Sequence, residues 1–285
     1  MGRPTYLLPQ MTKCRIPGLR IGCTSFIIPD HYVPAVRGCI PYADDIALLL
    51  LEAGHNGDSL ISKREIDELI RIADGENITW NIHLPADGDF SSMASTKRLT
   101  DNILRAIDLT LPLHPHTWVT HVVDNTLLEL NTPNHFSEKQ TEMIIKALAR
   151  MSAPLPNPAH LALENLELFA MDLLDEILTY TPYSRCFDIG HVWKDHLQPE
   201  KLLTPWLAKI RMCHLHGIST RDHQSLCHIP SQALDAIMHP LWDFAIKGIS
   251  TLEVITLEVF TLDNFLTSHQ ALLESHARYQ SSKRP

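Results

Sequence analysis

The sequence predicts an α/β chain folded as a (β/α)8 barrel. Three observations carry that expectation. Eight short β-rich runs alternate with eight longer helical patterns within 285 residues. Several of the runs, such as Ile46–Leu51, are apolar without alternation, as suits parallel strands buried on both faces. The third is a ladder of His, Glu and Asp at the ends of most of the runs, which places those ends together at one mouth.

The strands are expected in order at Leu19–Ser25, Asp45–Glu52, Ile78–Leu84, Thr117–Val123, Leu161–Asn165, Arg185–Ile189, Ile210–His216 and Leu252–Phe260. The helices fall between them at Val33–Ala43, Ser62–Asp74, Ser92–Thr110, Ser137–Met151, Leu168–Tyr180, Pro199–Ala208, Ser231–Phe244 and Leu262–Arg278. Ser62-Lys63-Arg64-Glu65 reads as a capping box. Behind it Ile66, Leu69, Ile70 and Ala73 form the stripe of a helix lying on a sheet. Residues 1–18 read as an extension ahead of a single domain over 19–285, and Pro154–Pro158 as a loop on the far face of the barrel. A doubly wound sheet is the weaker alternative. It would gather its ligands at one switch point, and no Gly-rich phosphate loop follows any strand.

Composition narrows the function classes. Asp plus Glu exceed Lys plus Arg by 33 to 24, a net charge of −9 that argues against a nucleic-acid partner. Six cysteines without a C-x-x-C pair suit reduced thiols. No leader-like or membrane-spanning apolar run is present, so a soluble cytoplasmic protein, monomeric or a homodimer, is expected. Of the 17 histidines, His114, His116, His135, His160 and His196 fall in loops and read as solvated.

The strand-end residues carry the chemistry. His83 and His121 end strands three and four, and Glu164 and Glu258 end strands five and eight. A carboxylate buried there is costly unless paired or metal-bound. Asp188 and His191 sit in Asp-Ile-Gly-His, where a turn at Gly190 would let both face one centre. His214 and His216 flank Leu215 and point to one side, His214 toward metal and His216 toward substrate. His223 and Asp222 lie in the loop after strand seven, Asp222 as a ligand or as an orienting group. Imidazoles with carboxylates suit Zn, Mn, Fe or Co and exclude an all-oxygen calcium site. Such a centre hydrolyses or isomerises oxygen-rich substrates.

As an ordered set, His83, His121, Glu164, Asp188-x-x-His191, His214, His223 and Glu258 resemble the xylose-isomerase-like barrel superfamily over roughly residues 19–262. That superfamily includes sugar epimerases and apurinic endonucleases (AP endonuclease family 2). Finer matches are similar to the cobamide-remodelling phosphodiesterase family. They are Gly22–Pro29, Val33–Arg37, Asp44-Asp45-Ile46, Leu51-Glu52, Ile82–Pro85, Cys186–His191, His214–Gly217, Asp222–Leu226 and Leu257–Phe260. The resemblance implies hydrolysis of the nucleotide-loop phosphodiester of adenosylated cobamides, with divalent cations as cofactor. The products are adenosylcobinamide phosphate and an α-riboside. It implies catalytic roles for Glu164, Glu258, His216 and Asp222. It implies substrate contacts from Glu52, Arg37, His216 and Arg221, the two arginines on phosphate. Met93, Trp193 and the Asp124–Phe136 loop are candidate lining for a corrin ring. The endonucleases carry Asp-x-His after strand seven; the aligned position here is Arg221, which predicts fewer than a full set of three metals unless Asp222 substitutes. The Asp-x-His-x-x-Gly motif of corrinoid-carrying domains is absent, so a corrinoid is expected as substrate. A sugar isomerase or epimerase on the same barrel and a non-catalytic corrinoid-binding protein are the alternatives, with a repair endonuclease behind them.

Overall fold

Eight parallel strands close on themselves in sequence order, which gives the chain its barrel. A computed structural model describes residues 19–54, 57–129, 135–219, 223–248 and 251–284. The expected extension 1–18, Arg221, Asp222 and part of the Asp124–Phe136 loop lie outside these residues. The strands are β1 Arg20–Thr24, β2 Asp45–Leu49, β3 Thr79–His83, β4 Thr117–His121, β5 Leu161–Glu164, β6 Ser184–Asp188, β7 Ile210–Leu215 and β8 Val254–Leu257. The helices are α1 Tyr32–Cys39, α2 Lys63–Gly75, α3 Met93–Thr110, α4 Thr126–Glu129, α5 Glu138–Ser152, α6 Asp175–Tyr180, α7 Ile189–Lys194, α8 Pro199–Leu203, α9 Ser231–Lys247 and α10 Leu262–Ser282. Among the described residues, no helix is long and apolar enough to cross a membrane.

The period of two along each strand sorts the side chains. One phase (Trp118, Leu161, Leu163, Phe187, Cys213, Ile255) joins the large core between strands and helices. The other phase points inward, where Val119, Ala162, Cys186, Met212 and Val254 form a separate small cluster. Two residues further along those inward faces come His121, Glu164, Asp188, His214 and Thr256. The ligand ladder is therefore one layer of the barrel filling, at the C-terminal ends. A register shift between β6 and β7 at Arg185/Cys186 brings Asp188 level with His214.

Expectation and structure part in three helical regions. Leu168–Tyr180 was expected as one helix, but Leu168 has φ +69° and only α6 is helical. A leucine in the left-handed region ends any helical run. The segment after strand seven's predecessor breaks at Pro205, where Thr204–Trp206 tightens into a 3-10 turn. The expected strand Arg185–Ile189 stops at Asp188, and Ile189 opens α7 instead. The capping box at Ser62 forms with Glu65, and Ser137 forms a second with Gln140.

His116, expected in solvent, is tied into the N-terminal end of the barrel. Its Nε2 lies 3.1 Å from Asp45 Oδ2 and its Nδ1 2.7 Å from Thr117 Oγ1. Asp45 is fully buried and also accepts from Thr79 Oγ1 and the Asn81 amide. Burial raises the Asp45 pKa, but the His116 imidazole and the donated hydrogen bonds outweigh it and hold the carboxyl below its ordinary value. A depressed folded-state pKa contributes stability that is present above the unfolded value and is lost as pH falls through the folded one. Asp45→Asn should therefore flatten the acid limb of a melting-temperature profile and cost about 1.5–3 kcal/mol at neutral pH. An acid limb unchanged by the substitution would remove this role.

Candidate metal centre at the barrel mouth

The residues at the ends of six strands meet. His83 Nε2 and His121 Nε2 each lie 3.2 Å from Glu164 Oε2. The other oxygen, Glu164 Oε1, lies 2.8 Å from His214 Nδ1. Glu258 Oε2 and Asp188 Oδ2 approach the same His214 Nδ1 at 3.3 and 3.9 Å. Three groups made of imidazoles and carboxylates alone result, each with its atoms within 4.8 Å of one another: His83–His121–Glu164, Glu164–Asp188–His214–Glu258, and His191–His216–His223. Glu164 belongs to the first two, one oxygen toward each.

Every one of these side chains is buried or nearly so. Among the described residues, all ion-pair partners of Glu164, Asp188 and Glu258 are imidazoles, with no Lys or Arg among them. Burial pushes the Glu164 carboxyl up, but His214, His121 and His83 outweigh it and hold the group well below the usual carboxylate range. Glu258 is likewise depressed, with His214 overcoming the penalty of burial. Burial lowers His214, yet the Glu258 and Glu164 carboxylates beside it raise its pKa well above the ordinary value. Burial keeps His121 and His223 low, and so in the neutral form. Cations bind ionised carboxylates and neutral imidazoles, so His83, His191 and His214, which the carboxylates beside them hold raised against the pull of burial, would release protons on binding one.

The donors fit divalent cations on a further ground. Asp188 Oδ2 and His216 Nε2 are buried polar atoms that make no hydrogen bond among the described residues. Unsatisfied buried polar atoms are costly, and a cation between them removes the cost. The donor set also holds a thiol that sequence reasoning left out: Cys186 Sγ joins Glu164 and His214 in a further group, from the inward position just below Asp188. Burial pushes this thiol up to about 12, so it stands as a neutral thiol beneath the carboxylates.

One supporting residue, Asn165, was given no role by the sequence, and another, Gly190, was given a different one. Asn165 holds the backbone of Asp188 at both ends, its Nδ2 donating to Asp188 O at 2.9 Å and its Oδ1 accepting from Asp188 N at 3.0 Å. Gly190 is not the turn expected of it, since it lies inside α7, whose first turn is capped by Asp188 Oδ1 accepting from His191 N. It is glycine because a Cβ there would stand 2.2 Å from the His216 ring. Its neighbour is 26 residues away in the chain, which is why the local motif misleads.

Other expected contacts fall elsewhere. Arg37 lies on α1 in the outer helical layer, its side chain 59% exposed and ion-paired with Glu68 of α2 at 3.1 Å. It is not brought to the centre, because the period of α1 turns it toward the neighbouring helix rather than the mouth. Glu52 is exposed in the loop after β2. Met93 is exposed at the start of α3, whereas Trp193 is packed in the core and Asp124 is buried with its carboxylate on Thr126 and Gln140. His216, expected to face substrate, stands instead among His191 and His223, its ring stacked on that of His223 at 3.7 Å.

No known family profile and no curated protein sequence matches the chain. Solved structures do. A D-tagatose 3-epimerase-like protein is 17% identical, with a TM-score of 0.67 over 93% of this chain and 100% of its own. A xylose isomerase domain protein from Planctomyces limnophilus is 12% identical, with a TM-score of 0.65 over 93% of this chain and 99% of its own. An AP endonuclease, family 2, from Brucella melitensis is 12% identical, with a TM-score of 0.62 over 92% of this chain and 99% of its own. At these identities the likeness is one of fold alone, the closed (β/α)8 barrel that this chain shares with them.

Proposed function

We propose that the protein is a metal-dependent phosphodiesterase that opens the nucleotide loop of adenosylated cobamides. Water adds to phosphorus, the bond from phosphorus to the ribosyl oxygen breaks, and that oxygen leaves with a proton. The products are adenosylcobinamide phosphate and an α-riboside. One observation carries the reading: the centre offers more ligands than one cation takes, in four groups of which three share Glu164. Phosphodiester cleavage has to activate water, neutralise the phosphate and stabilise the leaving oxygen together, which is the work of several cations. When bound, such cations would supply a lowered water pKa and Lewis-acid polarisation.

The protein's own part is to hold and orient. Glu164 spans two groups with its two oxygens. Asn165 and the α7 cap pin Asp188. The side chains of His83 and His214 are 3% and 2% exposed, whereas those of His121 and His223 are 22% and 15% exposed. The open side of the centre therefore lies along His121 and His223, and the phosphodiester approaches there. The corrinoid as substrate rests on the motif resemblance, chiefly Ile82–Pro85, Cys186–His191, His214–Gly217 and Leu257–Phe260.

A second reading has its own observation. Glu164, Asp188, His214 and Glu258 by themselves form a complete four-ligand group, with Glu164 and Glu258 as a pair of acids across it. That arrangement suits a sugar epimerase moving a proton next to a carbonyl, and sugar epimerases recur among the neighbours by fold. Protein loaded in turn with Zn, Mn, Fe and Co should release cobinamide phosphate from adenosylcobalamin, read by mass spectrometry. No product at any loading, with deuterium from solvent entering a ketose instead, would transfer the assignment to the epimerase. Tight corrinoid binding with no turnover, unchanged in Glu164→Gln, would leave a binding protein.

A further inference from the structure

We propose that Leu168 is a specificity-determining substrate contact, the fixed point of an apolar rim that takes the broad, non-reacting face of the substrate. The inference rests on the cobamide reading of the mouth and deepens it. A corrin ring has such a face, and a sugar, which carries hydroxyls on every side, lacks one. Leu168 stands out on two counts. Its φ of +69° is left-handed, a conformation that disfavours side chains with a Cβ and suits Gly or Asn. Its side chain is also outside the core, since the residue is 68% exposed while the same loop packs inward through Leu173 and Leu174. The conformation is imposed from α7. Leu168 N donates to Asp195 Oδ1 at 3.1 Å, and Glu167 beside it is ion-paired with Lys194 at the end of that helix. These two contacts hold the loop after β5 in a strained shape that presents leucine outward. Strain that the surroundings hold in place is characteristic of ligand clamps.

The place of Leu168 names what it meets. Its loop leaves β5 directly after Glu164 and Asn165. Other exposed apolar side chains stand on the same end of the barrel: Phe26 after β1, Leu128 in α4 after β4, and Phe260 after β8. Phe260 stacks on the His223 ring, with centroids 5.1 Å apart. The apolar groups therefore reach both open edges of the centre. Phe260 lies at His223, and Leu128 and Leu168 are on the loops that follow the strands ending in His121 and Glu164. Apolar groups exposed around a polar centre mark a ligand of both characters. The phosphodiester belongs to the centre, and the rim takes the apolar remainder.

The test is adenosylcobalamin turnover, with calorimetric binding of adenosylcobinamide phosphate, on the full chain loaded with Zn, Mn, Fe or Co. Leu168→Asn places a polar side chain in a conformation that asparagine accepts. KM should rise about tenfold or more with kcat within about threefold, the pattern of lost binding common to ground and transition states. Binding of the product should weaken by the same factor. The variant should melt no lower than the unsubstituted protein, because the strain is relieved. Leu168→Met, apolar but still strained, should keep KM within about threefold. An unchanged KM in Leu168→Asn, or a rise of equal size in Leu168→Met, would overturn the contact and leave the cobamide reading standing. A dimer of the unsubstituted protein that Leu168→Asn dissociates would overturn it too, and give the rim to a second copy of the chain. An unsubstituted protein that neither cleaves the one corrinoid nor binds the other would remove the reading and the contact together.

Discussion

Glu164→Gln should lose the greater part of the bound metal and at least about 100-fold in turnover, while the chain still folds. The reason lies in how its two oxygens are divided. Oε2 meets both His83 and His121 at 3.2 Å, and Oε1 meets His214 at 2.8 Å. An amide of the same shape supplies one weak acceptor and turns a donor toward the other group, so it cannot serve both. Changing a residue that only orients a ligand costs about 10–100-fold in affinity or activity, and a ligand shared by two groups exceeds that. Stability responds differently. Stranding a buried charge costs about 3–5 kcal/mol. His83, however, owes its raised pKa to Glu164, with burial pulling the other way. In the variant it loses its proton instead of remaining charged, and the cost falls below that range. Metal content, turnover and thermal melting on one preparation check all three. Full metal content with turnover within about tenfold of the unsubstituted protein would show that Glu164 is not a shared ligand.

Glu164 also shows how much of the site could be read from the chain. The strand ends were legible because each ligand closes an apolar run, and strand periodicity puts all inward residues two apart on one face. His83, His121, Glu164, Asp188 and His214 follow from that rule alone, and the structure brings them together. What could not be read depends on neighbours distant in sequence. Nothing near His116 announces that Asp45, 71 residues away, waits at the other side of the barrel floor. Cys186 looked like a strand residue of the core, and only closure of the barrel sets its thiol below Glu164 and His214. Arg37 was misplaced for the opposite reason. Its motif is local, and its partner Glu68 lies on the next outer helix. The helix ends were legible where a cap is written in sequence, as at Ser62 and Ser137, and illegible at Leu168, where only the backbone angle reveals the break.

Gly190→Ala tests whether the centre is shaped by packing as well as by ligands. In an ordinary helical position the change stabilises by about 0.5–1 kcal/mol, because glycine loses more backbone freedom on folding. Here the added Cβ would lie 2.2 Å from both Cε1 and Nε2 of His216, so something must shift. The ring has little freedom to yield. Its Nδ1 is held by Gly217 O at 2.7 Å, and the parallel ring of His223 lies 3.7 Å away on one side. Overpacking of this kind costs about 1–3 kcal/mol, which exceeds the helical gain. The single variant should therefore melt below the unsubstituted protein. In Gly190→Ala combined with His216→Ala the obstacle is gone and the helical gain returns. The double variant should be more stable than the sum of the two single changes predicts, by about 1 kcal/mol or more. A Gly190→Ala protein that melts higher, or single effects that simply add, would mean that the glycine and the imidazole do not share this space, and that His216 is free to take another position at the mouth.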